Sequence, residues 1–320
     1  MGQLPFERRT FEVLVKHEVK TVPVVRDSLS TLLHYGIIVV NKPKGPTSHM
    51  VSEYVQRILA LKKAGHGGTL DPGVTGVLPV ALGSATRIVQ ALLPAGKEYV
   101  CLMRLHDDRN DAEIRRVCAS FVGVITQKPP VKSAVKRVQR EREIYYLEIL
   151  EIEDRFVLFR VGCQAGTYIR KLCEQIGKAL GTNAHMQQLV RTKAGPFSDE
   201  QWVTLQDLED GLALFKEGDD RLLAKCLHPI EAGVRHLPKV VLGDEAITPV
   251  MNGVDLFVPG VLRLDSDIAE GMLVAVMTAS GRLLALGSAA LSSAAVMQAQ
   301  KGKAVTVEKV FRRPTDTYHV

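Results

Sequence analysis

Apolar positions along the chain change period several times, and each change marks an element. Residues 35–41, with four consecutive Ile and Val side chains, predict a buried strand. A rigid turn, Lys42-Pro-Lys-Gly-Pro-Thr-Ser48, follows, and Thr47 or Ser48 can cap a helix. Val51, Tyr54, Val55, Ile58 and Leu59 then recur at helical spacing, with Lys62 and Lys63 at the favourable end of the dipole and Gly65 as the stop. Residues 77–81 form a short apolar segment, 84–93 read as helix, 97–105 alternate as a strand, and 111–121 suit a short helix. Residues 144–152 and 155–163 alternate on either side of Glu153-Asp154, a hairpin pattern. Residues 166–180 predict a helix ended by Gly181, residues 184–197 an extended segment, and 204–233 helical pieces. From Leu237 onward, short Val/Leu-rich strands separated by Gly, Asn, Asp and Pro predict a small separate β-rich domain. Residues 1–33 alternate charge and valine and read as one or two short strands that need a partner elsewhere.

One stretch fits no period. Gly65-His-Gly-Gly-Thr-Leu-Asp-Pro-Gly-Val-Thr-Gly76 holds five glycines and a proline in twelve residues, which predicts a loop with backbone conformations that side chains forbid. It presents one carboxylate, Asp71, fixed between a leucine and a proline, beside glycines that let a large ligand approach the backbone. A phosphate-cradling loop is excluded, because Val77-Leu78 stands where Lys-Ser/Thr would be needed. The dinucleotide fingerprint fails at Leu70. Two readings remain on local physics: an active-site acid, or a structural turn with Asp71 as a cap or Asx-turn.

Composition narrows the class. At 320 residues and 46% hydrophobic, the chain has material for about two domains. A formal charge of +6 is a mild bias towards polyanions. The most basic tract spans residues 128–142. It reads either as a solvated face or as a phosphate-contacting surface, with Lys132, Lys136 and Arg140 as its candidate backbone contacts. Five scattered cysteines indicate neither a zinc site nor a disulfide framework, and suit a reducing compartment. The N-terminus lacks a signal peptide's apolar run, and no apolar stretch has membrane-spanning length, so a cytoplasmic protein without a membrane partner is expected.

Several motifs together carry a resemblance. Asn41-Lys-Pro-Lys-Gly-Pro-Thr-Ser48, Gly65-His-Gly-Gly-Thr-Leu-Asp-Pro72, Lys97-Glu-Tyr99, Gly166-Thr-Tyr-Ile-Arg170 and Arg191-Thr-x-x-Gly-Pro-Phe197 occur in the order found in the TruB family of RNA pseudouridine synthases, over about residues 36–200. The C-terminal block (Leu237-Pro-Lys-Val, Gly253-Val-Asp-Leu, Val258-Pro-Gly260) resembles a PUA RNA-binding domain. Gly-Gly-Thr-Leu-Asp-Pro, the 92–99 run and Lys128-Pro-Pro-Val-x-Ser-Ala-Val-Lys136 are similar to the archaeal, dyskerin-like branch. A short segment after Leu105 and an N-terminal extension before Tyr35 separate the chain from the stand-alone bacterial branch.

The resemblance implies an α+β catalytic domain over residues 34–235, with a mixed, largely antiparallel sheet flanked by helices. It implies a PUA domain over 236–312, an N-terminal extension (1–33) packing with it, and a tail, 313–320. The implied reaction breaks the N1–C1′ bond of a uridine that has left its stack and rejoins the base through C5, with no cofactor and no metal. By resemblance Asp71 is the acting carboxylate, Arg170 keeps it charged in a buried setting, and Tyr99 stacks on the base and assists loss of the C5 proton. Tyr168 and Leu189 line the pocket, His66 lies against the RNA, and Lys42 and Pro43 buttress the loop. Implied partners are a box H/ACA guide RNA, substrate rRNA or tRNA, small proteins of the Nop and Gar type, and a kink-turn-binding ribosomal-type protein. The alternatives are a stand-alone synthase for the tRNA TΨC loop and a non-catalytic RNA-binding scaffold.

Overall fold

The structure, a computed structural model, describes residues 2–18, 23, 27–129 and 138–313. Its strands fall into two sheets. The first holds β2 (Gly36–Lys42), β3 (Ala64–His66), β4 (Thr75–Leu82), β5 (Lys97–Leu105), β6 (Gly123–Gln127), β7 (Arg140–Glu153), β8 (Phe156–Cys163) and β9 (Ala184–Ala194); β1 (Val13–Val15) joins the second. Among the described residues, the large sheet runs His228–Pro229, β2, β4, β9, β5, β8, β7, β6, with β3 added on β4. Among the described residues the strands pair antiparallel except β4 with β9, and a parallel bridge joins Val40 to Val203, so the expected mixed, largely antiparallel α+β sheet is what forms.

Helices cover the sheet where their apolar stripes dictate. α1 (Leu29–Tyr35) leads into β2, and α2 (Ser48–Ile58) starts where the Thr47 hydroxyl accepts from Met50 N at 3.1 Å. Val51 and Val55 are fully buried against Ile38, Val40, Leu78 and Val80. α3 (Val89–Leu92) and α4 (Asp111–Ala119) are short. α5 (Ile169–Ala179) buries Ile169, Leu172, Cys173 and Ile176, one stripe at i, i+3, i+4 and i+7, against Cys101, Phe159 and Val161 of β5 and β8. Gly181, at φ +67°, follows its end.

The smaller sheet is built from Lys239–Leu242, Val261–Asp265, Leu273–Thr278, Leu283–Ala289 and Lys303–Val310, with Leu256–Phe257 at one edge. β1 pairs antiparallel with Val261–Asp265 at the other edge, which gives the N-terminal strand its partner about 250 residues away. Tyr35, Ile37 and Ile88 share one buried cluster with Met277, Leu283 and Phe311, so the two sheets meet through a continuous apolar core.

Two expectations change, and others lie outside the described residues. Residues 84–93 begin as a 3-10 turn, Gly83–Ile88, because the Thr86 hydroxyl donates to Gly83 O at 2.9 Å and competes with the helical ladder. α1 was not expected; seven residues are too few to show a period, and the Ser28 cap with burial of Leu32 and Tyr35 decides it. The alternation at 21–25 falls mostly outside the described residues, as do Lys132, Lys136 and positions 314–320.

Candidate active site

The glycine-rich stretch is a loop only in its middle. Gly65 and His66 already pair with Ala81 and Val80, and the chain rejoins the sheet at Thr75. Between them the backbone is pinned at almost every turn. Gly67 N donates to Pro79 O at 2.8 Å, and Val74 N to Asp71 O at 3.0 Å. Leu70 N donates to Ser48 Oγ at 2.8 Å, and Gly45 N to Pro72 O at 2.9 Å. Lys42, at the end of β2 and fully buried, donates to Val74 O (2.8 Å), Pro43 O (2.9 Å) and Pro72 O (3.3 Å). The loop returns at Gly76, φ +109°, where any Cβ would lie 2.2 Å from Arg191 O on the parallel neighbour β9. Only glycine lets the two strands close.

This scaffold holds up Asp71. Its Oδ2 meets Arg170 Nη2 at 2.8 Å, with the two side chains 50% and 46% exposed. An arginine in the first turn of α5 opposes the helix dipole, so the neighbouring carboxylate supplies the reason for its place. The sequence argument expected a buried carboxylate; here it stands half exposed on the wall of a cavity.

Asp71 and Arg170 line a cavity of about 470 Å³ together with Tyr99, Tyr168, Leu189 and Arg191. That size and its apolar walls suit a small planar ligand. Tyr99 comes from β5; burial pushes its phenol up, and Arg191 opposes that shift. Tyr168 precedes α5, its backbone clamped by Gln127 Oε1 (2.9 Å from Tyr168 N) and Gln127 Nε2 (3.2 Å from Tyr168 O). His66, Lys42 and Pro43 do not line the cavity. His66 sits in β3, where burial first, then the charges of Arg191 and His49, hold its imidazole below the ordinary value. Lys42 lies beneath the loop, and Pro43 contributes a carbonyl to it. Arg140 opens β7, paired with Gln127, and does not line the cavity either.

Two residues of the site were quoted in motifs but not singled out. Arg191, 1% exposed, donates from Nε to Val77 O (2.7 Å) and from Nη2 to Gly68 O (3.0 Å), pinning both sides of the loop. Lys97, 5% exposed, donates to Leu93 O and Ala95 O at 2.7 Å and Leu92 O at 3.1 Å. Burial, then the charge of Arg191, brings its ammonium down to about 7. The signal was present: in β9, Arg191 shares the buried face with Leu189, two positions away, where a strand's period calls for an apolar residue. Among the described residues no cluster of His, Cys, Asp or Glu could hold a metal, and no helix is long and apolar enough to cross a membrane.

Known proteins resemble this arrangement along nearly the whole chain. Residues 56–169 match the N-terminal domain of the TruB family pseudouridylate synthases, 170–235 the tRNA pseudouridylate synthase B C-terminal domain, and 238–311 a PUA domain. A protein of Pyrococcus abyssi named probable tRNA pseudouridine synthase B is 54% identical over 288 residues, covering 89% of this chain and 86% of that one. One of the same name from Methanosarcina barkeri is 52% identical over 277 residues, covering 86% and 82%. Among solved structures, the chain is similar to one in a Cbf5-Nop10-Gar1 complex, with TM-score 0.93 and 50% identity over 97% of both chains. It is also similar to one in an H/ACA RNP bound to a substrate RNA containing 2′-deoxyuridine, with TM-score 0.90 and 48% identity over 97% of both.

Proposed function

This chain belongs to the TruB family of pseudouridine synthases, RNA isomerases, and from that premise we propose that it converts uridine to pseudouridine under the direction of a box H/ACA guide RNA. The observation that carries the reading is the Asp71–Arg170 pair, 2.8 Å apart, on the wall of a cavity also lined by Tyr99, Tyr168 and Leu189. The guanidinium holds the carboxylate by an ion pair beside the space a flipped base would fill. Asp71 acts on the ribose or base; Tyr99 and Leu189 pack against the ring. His66 faces the RNA outside the cavity, and Lys42 with Pro43 holds the loop from below.

Guide dependence draws its support from the likeness, over 97% of the chain, to proteins solved in a Cbf5-Nop10-Gar1 complex and in an RNA-bound H/ACA RNP. The partners follow: a guide RNA whose ACA end the PUA domain anchors, substrate rRNA, small proteins of the Nop and Gar type, and a kink-turn-binding protein. The reaction needs no cofactor, and the site acts in the cytoplasm. A second reading, a stand-alone synthase acting on tRNA, is favoured by the names of the curated relatives.

Tritium release from 5-tritiated uridine RNA separates them. Release only with guide RNA and protein partners is expected; release from bare tRNA by the chain alone would replace guide dependence with the second reading. Asp71→Asn is expected to abolish release while leaving guide binding within a few-fold. Turnover surviving in that variant would remove Asp71 from the chemistry.

A further inference from the structure

Strict alternation along β9 would turn Arg191 and Lys193 to the same face of the sheet. They face opposite ways. On β5, Lys97 pairs with Ala194, Glu98 with Lys193 and Tyr99 with Arg191, so Thr192 is an extra residue left out of the pairing, a β-bulge. Lys97, Tyr99 and Arg191 line the cavity that holds Asp71. Glu98, Thr192 and Lys193 line a second cavity, of about 430 Å³, on the other face. The bulge thus turns Arg191 inward and Lys193 outward, and the buried Ala194 takes the place beside Lys97.

What holds the extra residue lies on the far face. The Thr192 hydroxyl donates to Glu98 Oε1 at 2.7 Å, and the Tyr146 hydroxyl of β7 donates to Glu98 Oε2 at 2.5 Å. Tyr146 can reach across β8 because Gly162, which pairs with both Tyr146 and Glu98, has no side chain. A Cβ there would lie 2.2 Å from the Tyr146 ring. Tyr146 itself follows a second register shift, between Ile144 and Tyr146. Glu98, 5% exposed, therefore joins the irregular points of two strands. The N-terminal segment covers this row, with Gly2 against the Tyr146 ring and Glu7 bonded to Lys193 at 2.6 Å.

We infer that Glu98 is a positioning residue: by holding Thr192 on the far face, it fixes the bulge that turns Arg191 into the active-site cavity opposite Tyr99. The inference rests on the uridine-isomerising reading above. Arg191 holds Gly68 O and Val77 O on the two sides of the Asp71 loop, so its direction sets where that carboxylate stands. Were the extra residue absorbed into a regular ladder, one of two things would follow. Either Arg191 would leave the loop, or Lys193 would come to lie beside Lys97, two ammonium groups at one buried spot. Glu98 itself does not line the active-site cavity and acts only through β9. Its carboxyl suits the task, since it accepts from two hydroxyls at once.

The test is single-turnover tritium release by the full chain, in the RNA and protein mixture that supports wild-type turnover. It is read beside RNA affinity, the unfolding midpoint and the fluorine resonance of 3-fluorotyrosine placed at position 99. Thr192→Val keeps the shape and removes the hydroxyl. It is expected to slow release about 10-fold, with RNA affinity within a few-fold and the resonance shifted. Glu98→Ala is expected to lose about 10²-fold. Glu98→Gln should fall between Glu98→Ala and wild type, since its amide oxygen still accepts from one hydroxyl and its amide nitrogen can donate to the other. Tyr146→Phe breaks the row on the β7 side and leaves the bulge held. It is expected to lower the unfolding midpoint at least as much as Thr192→Val but to slow release less. Release rates that follow the unfolding midpoint alike in those two variants would make the row a stabilising feature only and overturn the inference. So would a wild-type rate or an unmoved resonance in Thr192→Val. Should Glu98→Ala fail to fold, Thr192→Val still decides. Absence of release by the wild-type chain on every RNA would overturn the underlying reading instead, with the fluorine resonance still reporting whether Glu98 places Tyr99.

Discussion

Lys42, Lys97 and Arg191 under the cavity, and Arg9 and Arg313 where the two sheets meet, are charges in the protein interior handled in opposite ways. Among the described residues none of the first three pairs with a carboxylate; each donates to backbone carbonyls. At the junction, Arg313 meets Asp27 at 3.0 Å and also Glu231, and Arg9 meets Asp267 at 2.7 Å and Asp265 at 3.0 Å. Carbonyls satisfy the hydrogen-bonding of a cation without cancelling its charge. These basic groups are thus held in place by backbone carbonyls rather than by counter-charges. At the junction each arginine meets two carboxylates, and these pairs tie the N-terminal segment and the Ile230–Val234 turn to the C-terminal sheet and the residues after it.

The comparison can be broken first at the junction. Arg313→Met is expected to cost about 3–5 kcal/mol, because it strands two acidic groups in the interior. Denaturant unfolding measures this, and Asp27→Asn with Glu231→Gln in the same chain should recover part of the loss. No recovery would mean that the arginine acts through packing alone.

A smaller effect sharpens the other half. Lys97 is brought down to about 7 from an ordinary 10.5. Between those values the unfolded chain holds a proton that the folded chain has released, so stability rises with pH across that window. Unfolding midpoints at both ends of the window should show the rise, and Lys97→Met should remove this lysine's share of it. The smallest change is expected at Glu7, whose bond to Lys193 is 2.6 Å long but about a quarter exposed. Glu7→Gln should cost under about 1 kcal/mol and less at high salt, by the same unfolding measurement.

Much of the fold was legible because it repeats locally. The buried stripe of α2, the hairpin turning at Asp154 (φ +50°) and the Gly181 stop each depend on residues a few positions apart. α1 and the 3-10 turn at Gly83–Ile88 were not, since short elements are settled by caps and by what covers them. In the site, Asp71 was legible as a lone acid in a glycine-rich loop, whereas its half-exposed stance was not. Lys97 and Arg191 show why. A charged residue at an apolar beat of a strand is visible in the sequence, but the acceptors that make it tolerable come from other segments.

Local chemistry alone thus determined the central loop, the helices flanking it and the β-rich character of the C-terminal third, because glycine, proline and apolar period act over a few residues. Tertiary structure alone decided that Arg170 reaches Asp71, that β1 finds an edge about 250 residues away, and that Arg191 lies opposite Tyr99 across β5 and β9. Each of those contacts joins groups whose separation along the chain carries no local preference. They come together only when the buried faces of two sheets and their helices have closed on a common core.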